Sequence, residues 1–303
     1  WERQRRIIDP AFEGGRLRET FPAMVDAAEA AVARLTSRAD GTPVEIEEEA
    51  SFAAADVIFR TLFSVPIEDE IAGRVFHEFR AYQRRQPLVN LAAFLPLPRW
   101  APRPHQRGVR QSARSIRGLI ARMVERRLAE IEAGMAPDAL ATKIMTTADP
   151  ATGARFDVAE MVDQVAIFFL AGHETSASAL GWALYLMALY PDWQERVAQE
   201  AQGLTGAFGD LRRLPIARDV FRETLRLYPP VPMMVREATR PERFRDRDVP
   251  RGAQIVLSPW HLHRHERLWD DPDAFDPGRW ATEAGKRSAR AAYMPFSAGP
   301  RVC

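Results

Sequence analysis

Apolar positions recur at intervals of three and four over most of the chain, the spacing of one buried helix face. Phe21, Met24, Val25, Ala28, Val32 and Leu35 place an amphipathic helix over 16–38. The same reading predicts an alanine-rich helix over 50–63 and further helices over 68–85, 106–133, 136–146, 192–203 and 214–228. The longest run begins behind Asp157, a good N-cap, and continues to about Tyr190, where Pro191 stops it. Alternation with period two is rare. It suggests a short strand over 42–46, around Val44, and strands over 232–240 and 253–258, with a turn at Pro250-Arg251-Gly252. Residues 87–104 form a proline-rich link carrying Phe94, Leu95, Leu97 and Trp100, suited either to a substrate lid or to a surface loop with buried anchors. With no repeat, glycine-rich phosphate loop or low-complexity linker, the pattern reads as one mainly α domain over 1–303 with small β-sheets.

Composition changes this picture little. The 303 residues are 46% hydrophobic and 27% charged, ordinary globular material with room for a large core. A net charge of +1 gives no reason to expect nucleic acid as a partner, so the Arg110, Arg114, Arg117 series reads as a solvated helix face. Lys143 and Lys286 are the only lysines, which with abundant alanine points to a GC-rich, bacterial coding sequence. The longest apolar stretch, 165–172, is too short to span a bilayer, so a cytoplasmic location is expected unless an anchor lies upstream.

Two places carry candidate chemistry. The first is Cys303, the only cysteine. One thiol makes no internal disulfide and holds no structural zinc, which leaves a buried bystander, a nucleophile, or a single thiolate ligand to a metal that brings its other ligands, as in haem. The second is Ala171-Gly172-His173-Glu174-Thr175 at the centre of the longest helix. A mid-helix glycine costs about 1 kcal/mol and a threonine can bond back to a preceding carbonyl, so helix stability is given up locally in an otherwise apolar run. Such a conflict suggests a site. His261, His263 and His265 would face one way on a strand, as metal ligands do, but no carboxylate at matching spacing completes the set.

The ending Phe296-x-x-Gly299-x-Arg301-x-Cys303 resembles the haem-binding loop of the cytochrome P450 family. Four other motifs resemble the family's and stand in its order. Trp1 and Arg5 resemble a Trp-x-x-x-Arg in the C helix; residues 171–175 resemble the oxygen-binding stretch of the I helix; Glu223-x-x-Arg226 ahead of Leu-Tyr-Pro-Pro resembles the K helix; and Phe275-x-Pro277-x-Arg279-Trp280 resembles the segment that sends an arginine to it. The chain is thus identified as a member of the cytochrome P450 family, beginning in the C helix and ending on the ligand cysteine. Both ends read as cut, because the family pattern continues with a glycine two residues further on.

The resemblance implies haem b (iron protoporphyrin IX) with Cys303 as its thiolate ligand. It implies propionates neutralised by Trp1, Arg5, Arg236 and Arg301, with His263 facing a propionate, Gly299 making a tight turn and Phe296 shielding the sulfur. On the opposite side Ala171 and Gly172 leave room for dioxygen, Glu174 and Thr175 relay protons, and His173 is structural. Glu223, Arg226 and Arg279 form a buried ionic triad. The implied activity is monooxygenation of an apolar organic substrate by O2 in a monomeric enzyme. Electrons come from a ferredoxin with its reductase or from a flavodoxin, since the chain carries no flavin or nicotinamide motif. A haem-binding remnant without activity and a peroxide-driven peroxygenase are the alternatives; an intact Glu174-Thr175 argues against the second.

Overall fold

The structure is a computed structural model that describes residues 2–12, 15–85, 107–299 and 302–303. Helices dominate it, and the chain divides into two compact units, residues 1–44 with 51–174 and residues 45–50 with 175–303. Trp1 and the 87–104 link lie outside the described residues. Among the described residues no helix is long and apolar enough to cross a membrane.

The first unit contains α1 (Glu2–Ile8), α2 (Arg16–Ser37), most of α3 (Ile46–Phe63), α4 (Glu70–Arg84), α5 (Arg107–Glu132), α6 (Leu140–Thr146) and the first half of α7 (Val158–Leu189). Its core is aromatic at the centre: Phe59 of α3, Phe79 of α4 and Phe169 of α7 meet with ring centroids 4.5–5.0 Å apart. Ile120 and Val124 of α5 and Ile144 of α6 extend that core, all essentially inaccessible to solvent. Arg110, Arg114 and Arg117 are exposed, and Arg117 pairs with Asp163.

Helix starts follow local chemistry. Asp69 accepts from the Ile71 and Ala72 amides and so opens α4. Asp157 and Glu160 exchange side chain-to-backbone bonds of 2.8 and 3.1 Å, a capping box at the head of α7, and Arg3 of α1 reaches the same Glu160.

The expected strand around Val44 is absent. Helix α3 already begins at Ile46, four residues before its predicted start, with Glu45 accepting the first amides from Glu48 and Glu49. Three glutamates in the first turn suit the positive end of a helix, and the brief alternation of Val44 and Ile46 has no neighbouring strand to pair with.

The second unit holds the rest of α7, α8 (Pro191–Glu200), α9 (Pro215–Leu227), α10 (Pro259–Leu262), α11 (Glu283–Ala292) and two small antiparallel sheets. Strands β1 (Met234–Glu237) and β4 (Gln254–Leu257) pair in the register Met234 to Leu257; β2 (Glu242–Phe244) and β3 (Arg247–Val249) form a hairpin turned through Arg245 at φ 55°. The hairpin and α11 were not foreseen: three-residue strands carry too little alternation, and α11 is mostly charged. The His261, His263, His265 run is not a strand. Pro259 starts a short helix there, with Ser258 as its cap, so the three rings do not share a face.

Residues 263–276 have no helix or strand and run into a short 3-10 turn at Pro277–Ala281, and one carboxylate organises the stretch. Glu223 of α9, fully buried, accepts five hydrogen bonds: two from Arg226 (2.8 and 3.0 Å) and one each from Arg279 Nε (2.9 Å), Trp280 Nε1 (3.1 Å) and the Asp276 amide (3.1 Å). The two guanidiniums turn their other nitrogens to main-chain oxygens, Arg226 to His263, Pro272 and Ala274, Arg279 to Asp270, Asp271 and Ala274. Removing one partner of such a set strands the others without water.

Two expected outcomes follow. Glu223→Gln presents an amide donor to five donors and lowers unfolding stability by about 3 kcal/mol or more, measured by urea denaturation. The second concerns Asp149, whose buried carboxylate accepts from Nε and Nη2 of Arg6 at 2.7 and 2.9 Å as well as from the Ala151 amide and the Thr152 hydroxyl. Arg6 first, then these donors, hold its pKa well below the carboxylate range. The stability it contributes is therefore full above about pH 4, the unfolded value, and is lost as the pH falls through the folded one. Melting temperature against pH should drop less steeply on the acid side in Asp149→Asn than in the parent.

Candidate cofactor site

The chain leaves α11 at Tyr293 and turns back on itself before Cys303. Two left-handed residues make the turn, Ser297 at φ 67° and Gly299 at φ 76°. Glycine takes this conformation freely, whereas a serine there is strained and needs its surroundings to hold it. The Cys303 amide donates to Phe296 O at 3.0 Å and the Val302 amide to Gly299 O at 3.0 Å, which close the loop and leave the Cys303 thiol free and exposed. Phe296 and Val302 beside it are about half exposed. Arg236, exposed on β1, reaches Ser297 Oγ at 3.4 Å and so stands at this loop. Arg301 lies outside the described residues.

This donor set fits a haem held by one thiolate. It offers a single accessible sulfur on a backbone turn, apolar side chains around it, and a cation within reach for a carboxylate. Among the described residues no group of three His, Cys, Asp or Glu side chains could hold a metal ion by itself.

Other residues take positions that the sequence did not reveal. The expected propionate contact of His263 would have to compete with partners in the protein. Its ring is completely buried, Nδ1 donates to Arg226 O at 3.2 Å and Nε2 accepts the Met294 amide at 2.9 Å, so both nitrogens are already engaged. Burial pushes its pKa down to about 4, and the ring is neutral at ordinary pH. Sequence reasoning missed what this does: it ties α9 to the strand of chain three residues ahead of Ser297. Arg5 pairs with Asp9 one turn on, Nε to Oδ1 at 3.0 Å, on an exposed face.

At the centre of α7 the faces divide. Ala171 and Glu174 are exposed, together with Ile167 and Leu170 one turn earlier, and Thr175 is half-buried. Gly172 has a close neighbour on another helix. A Cβ at Gly172 would come within 3.1 Å of Ile58 Cδ1, so the missing side chain serves a close approach of α3. His173 is buried, its Nε2 2.8 Å from Ser51 Oγ and its ring stacked on Phe169. Burial lowers its pKa to about 4 as well.

Comparisons with known proteins agree with this geometry. The family model for cytochrome P450 matches residues 1–303. The chain is 33% identical over 310 residues to a cyclooctat-9-en-7-ol 5-monooxygenase of Streptomyces melanosporofaciens, covering 99% of this chain and 65% of that protein. It is 29% identical over 312 residues to a cytokinin hydroxylase of Arabidopsis thaliana, covering 100% of this chain and 60% of that one. Among solved structures, the retinoic acid-bound cyanobacterial CYP120A1 superposes with a TM-score of 0.82 over 100% of this chain and 66% of its own, at 23% identity, a likeness of fold. The chain therefore spans somewhat less than two thirds of the length of these curated relatives. A thiol presented on a left-handed turn, a helix broken in propensity at residues 172–175 and a family match along the whole chain lead to one conclusion: this chain belongs to the cytochrome P450 family.

Proposed function

We propose that the protein is a haem-thiolate monooxygenase acting on an apolar organic substrate, and that residues 1–303 are part of one P450 domain. The observation that carries this reading is the closed turn of residues 296–303, with its free thiol and Arg236 beside it. The activities of the two relatives, a 5-monooxygenase and a hydroxylase, support the same type of reaction.

A haem bound there supplies the activation of dioxygen. The residues of this chain do the rest. Cys303 would hold that haem through its thiolate, an electron-donating ligand suited to oxygen activation. The Phe296 ring limits water at the sulfur, and Gly299 lets the backbone pass close to the macrocycle. Arg236, joined by Arg301, Trp1 and Arg5, would neutralise propionate charge through charge-assisted bonds. At the centre of α7, Glu174, which is exposed, takes protons from solvent and Thr175 passes them on through its hydroxyl. Ala171 keeps the exposed face of α7 small where oxygen must fit. Electrons are delivered by an external ferredoxin or flavodoxin.

Two measurements test this. The reduced, carbon monoxide-bound protein should show the red-shifted Soret band of a thiolate ligand, and Cys303→His should lose it while retaining haem; a wild-type spectrum without that band ends the thiolate assignment. Thr175→Ala should bind haem and substrate normally yet form about tenfold less product or lower per reducing equivalent, with peroxide released instead. Peroxide-driven turnover that Thr175→Ala leaves intact would point to the peroxygenase alternative.

A further inference from the structure

We infer that Ser51 of α3 and His173 of α7 form a positioning pair that sets the rotation of α7 about its own axis, and with it the direction in which Glu174 is presented. The inference rests on the monooxygenase reading for its consequence, though the anchor itself stands on geometry alone.

Helix α7 is 32 residues long and mostly apolar, and its buried face in the first unit consists of Met161, Val162, Val165 and Phe169. Dispersion contacts of this kind are non-directional, so they tolerate small rotations and slips of a helix. A hydrogen bond between side chains does not, because its energy falls steeply with angle. The bond between Ser51 Oγ and His173 Nε2 is 2.8 Å long, joins positions 122 apart in sequence, and lies where both residues are at most 2% exposed.

Its surroundings narrow the geometry further. The His173 ring stacks on Phe169, centroids 5.2 Å apart and 18° from parallel, and meets Phe76 of α4 edge-on at 5.7 Å. One residue earlier, Gly172 lets Ile58 of α3 approach to 3.1 Å from where a Cβ would stand. One residue later comes Glu174, a little over a quarter-turn around the helix and exposed. The constraints on consecutive residues thus fall where propensity alone holds the helix least well.

The chemistry of residue 173 argues for a directional role over packing. A purely apolar filler in a slot between two phenylalanines would be a leucine or phenylalanine. Histidine instead buries two polar nitrogens, and among the described residues Nδ1 has no partner. Ser51 likewise buries a hydroxyl on a helix whose neighbours Ala53, Ala54 and Ala55 are apolar. What the pair adds over an apolar contact is one fixed direction. The low His173 pKa is consistent, since it keeps the ring neutral, and the nearby Arg80 guanidinium acts in the same sense.

The test compares Ser51→Ala, His173→Phe, the double variant and Ser51→Thr with wild type as haem-loaded proteins. Hydrogen–deuterium exchange of the α7 peptides around residues 170–176 reads the anchor; product formed per reducing equivalent and per haem reads its consequence. We expect Ser51→Ala and His173→Phe each to raise exchange at that segment and to lower coupling about two- to tenfold, the range of one buried hydrogen bond, while the carbon monoxide band keeps its position. The double variant should be no worse than either single one, and Ser51→Thr, which restores the hydroxyl, should recover both readouts. Lower melting temperatures with wild-type coupling per haem and unchanged local exchange would reduce the pair to core packing and overturn the inference. If wild type shows the thiolate band yet oxidises nothing, the monooxygenase reading fails; the exchange data still decide for or against the anchor.

Discussion

The buried carboxylate of Glu223 is the group on which the second unit depends. Between α10 and α11 the chain makes neither sheet nor long helix, so its carbonyls have no ladder to accept them. Arg226 and Arg279 take that place: each fork gives part of its donors to Glu223 and the rest to main-chain oxygens at residues 263 and 270–274. Two guanidiniums against one carboxylate leave a surplus positive charge out of water, which the carbonyl dipoles offset. Each component is untenable without the others, and that mutual dependence fixes an irregular stretch as firmly as a sheet would. His263 carries the order onward, since its Nδ1 binds Arg226 O and its Nε2 binds the Met294 amide. From a helix-borne carboxylate to the turn before Cys303, the chain of polar contacts is unbroken.

Two buried histidines show how similar electrostatics can serve different ends. Burial makes both His173 and His263 neutral at ordinary pH. His263 has both nitrogens satisfied by backbone groups and acts as a strut between α9 and the loop. His173 bonds the Ser51 hydroxyl through Nε2, and among the described residues its Nδ1 has no partner. The saturated ring can be read as structural from its contacts alone. The half-satisfied ring carries a cost that packing does not repay, and for that reason it bears on the centre of α7.

Much of this was legible in the sequence because it rests on local or periodic signals. Pro191, Asp157 and the spacing of apolar residues marked α7 within a residue or two, and the ordered motifs pointed to the fold class that the structure has. The losses have physical causes. The alternation of Val44 and Ile46 looked like strand, but three glutamates and the carbonyl of Glu45 favour a helix start. The hairpin of β2 and β3 has three residues a side, too few for a pattern. The partners of His263 and the close neighbour of Gly172 are tertiary facts that the motifs around them do not carry. Ile58, the close neighbour of Gly172, is far from it in sequence. Ser51 carried no signal at all beside a run of alanines.

A ligand atom supplied by one residue places a particular demand on the backbone. Sites built from three or four side chains converge on a metal from several directions and can share out small errors of position. Here one sulfur has to be delivered by the turn itself, so accuracy depends on main-chain geometry: a strained Ser297, a left-handed Gly299 and the amide of Cys303 held on Phe296 O. Strain at Ser297 persists only where its surroundings over-determine it. Arg236 meets its hydroxyl from β1, and His263 holds Met294 three residues upstream, so the turn is gripped on both sides. The order that begins in the Glu223 network therefore reaches the position of the thiol through backbone contacts, with no side chain of the network near the sulfur required to touch it.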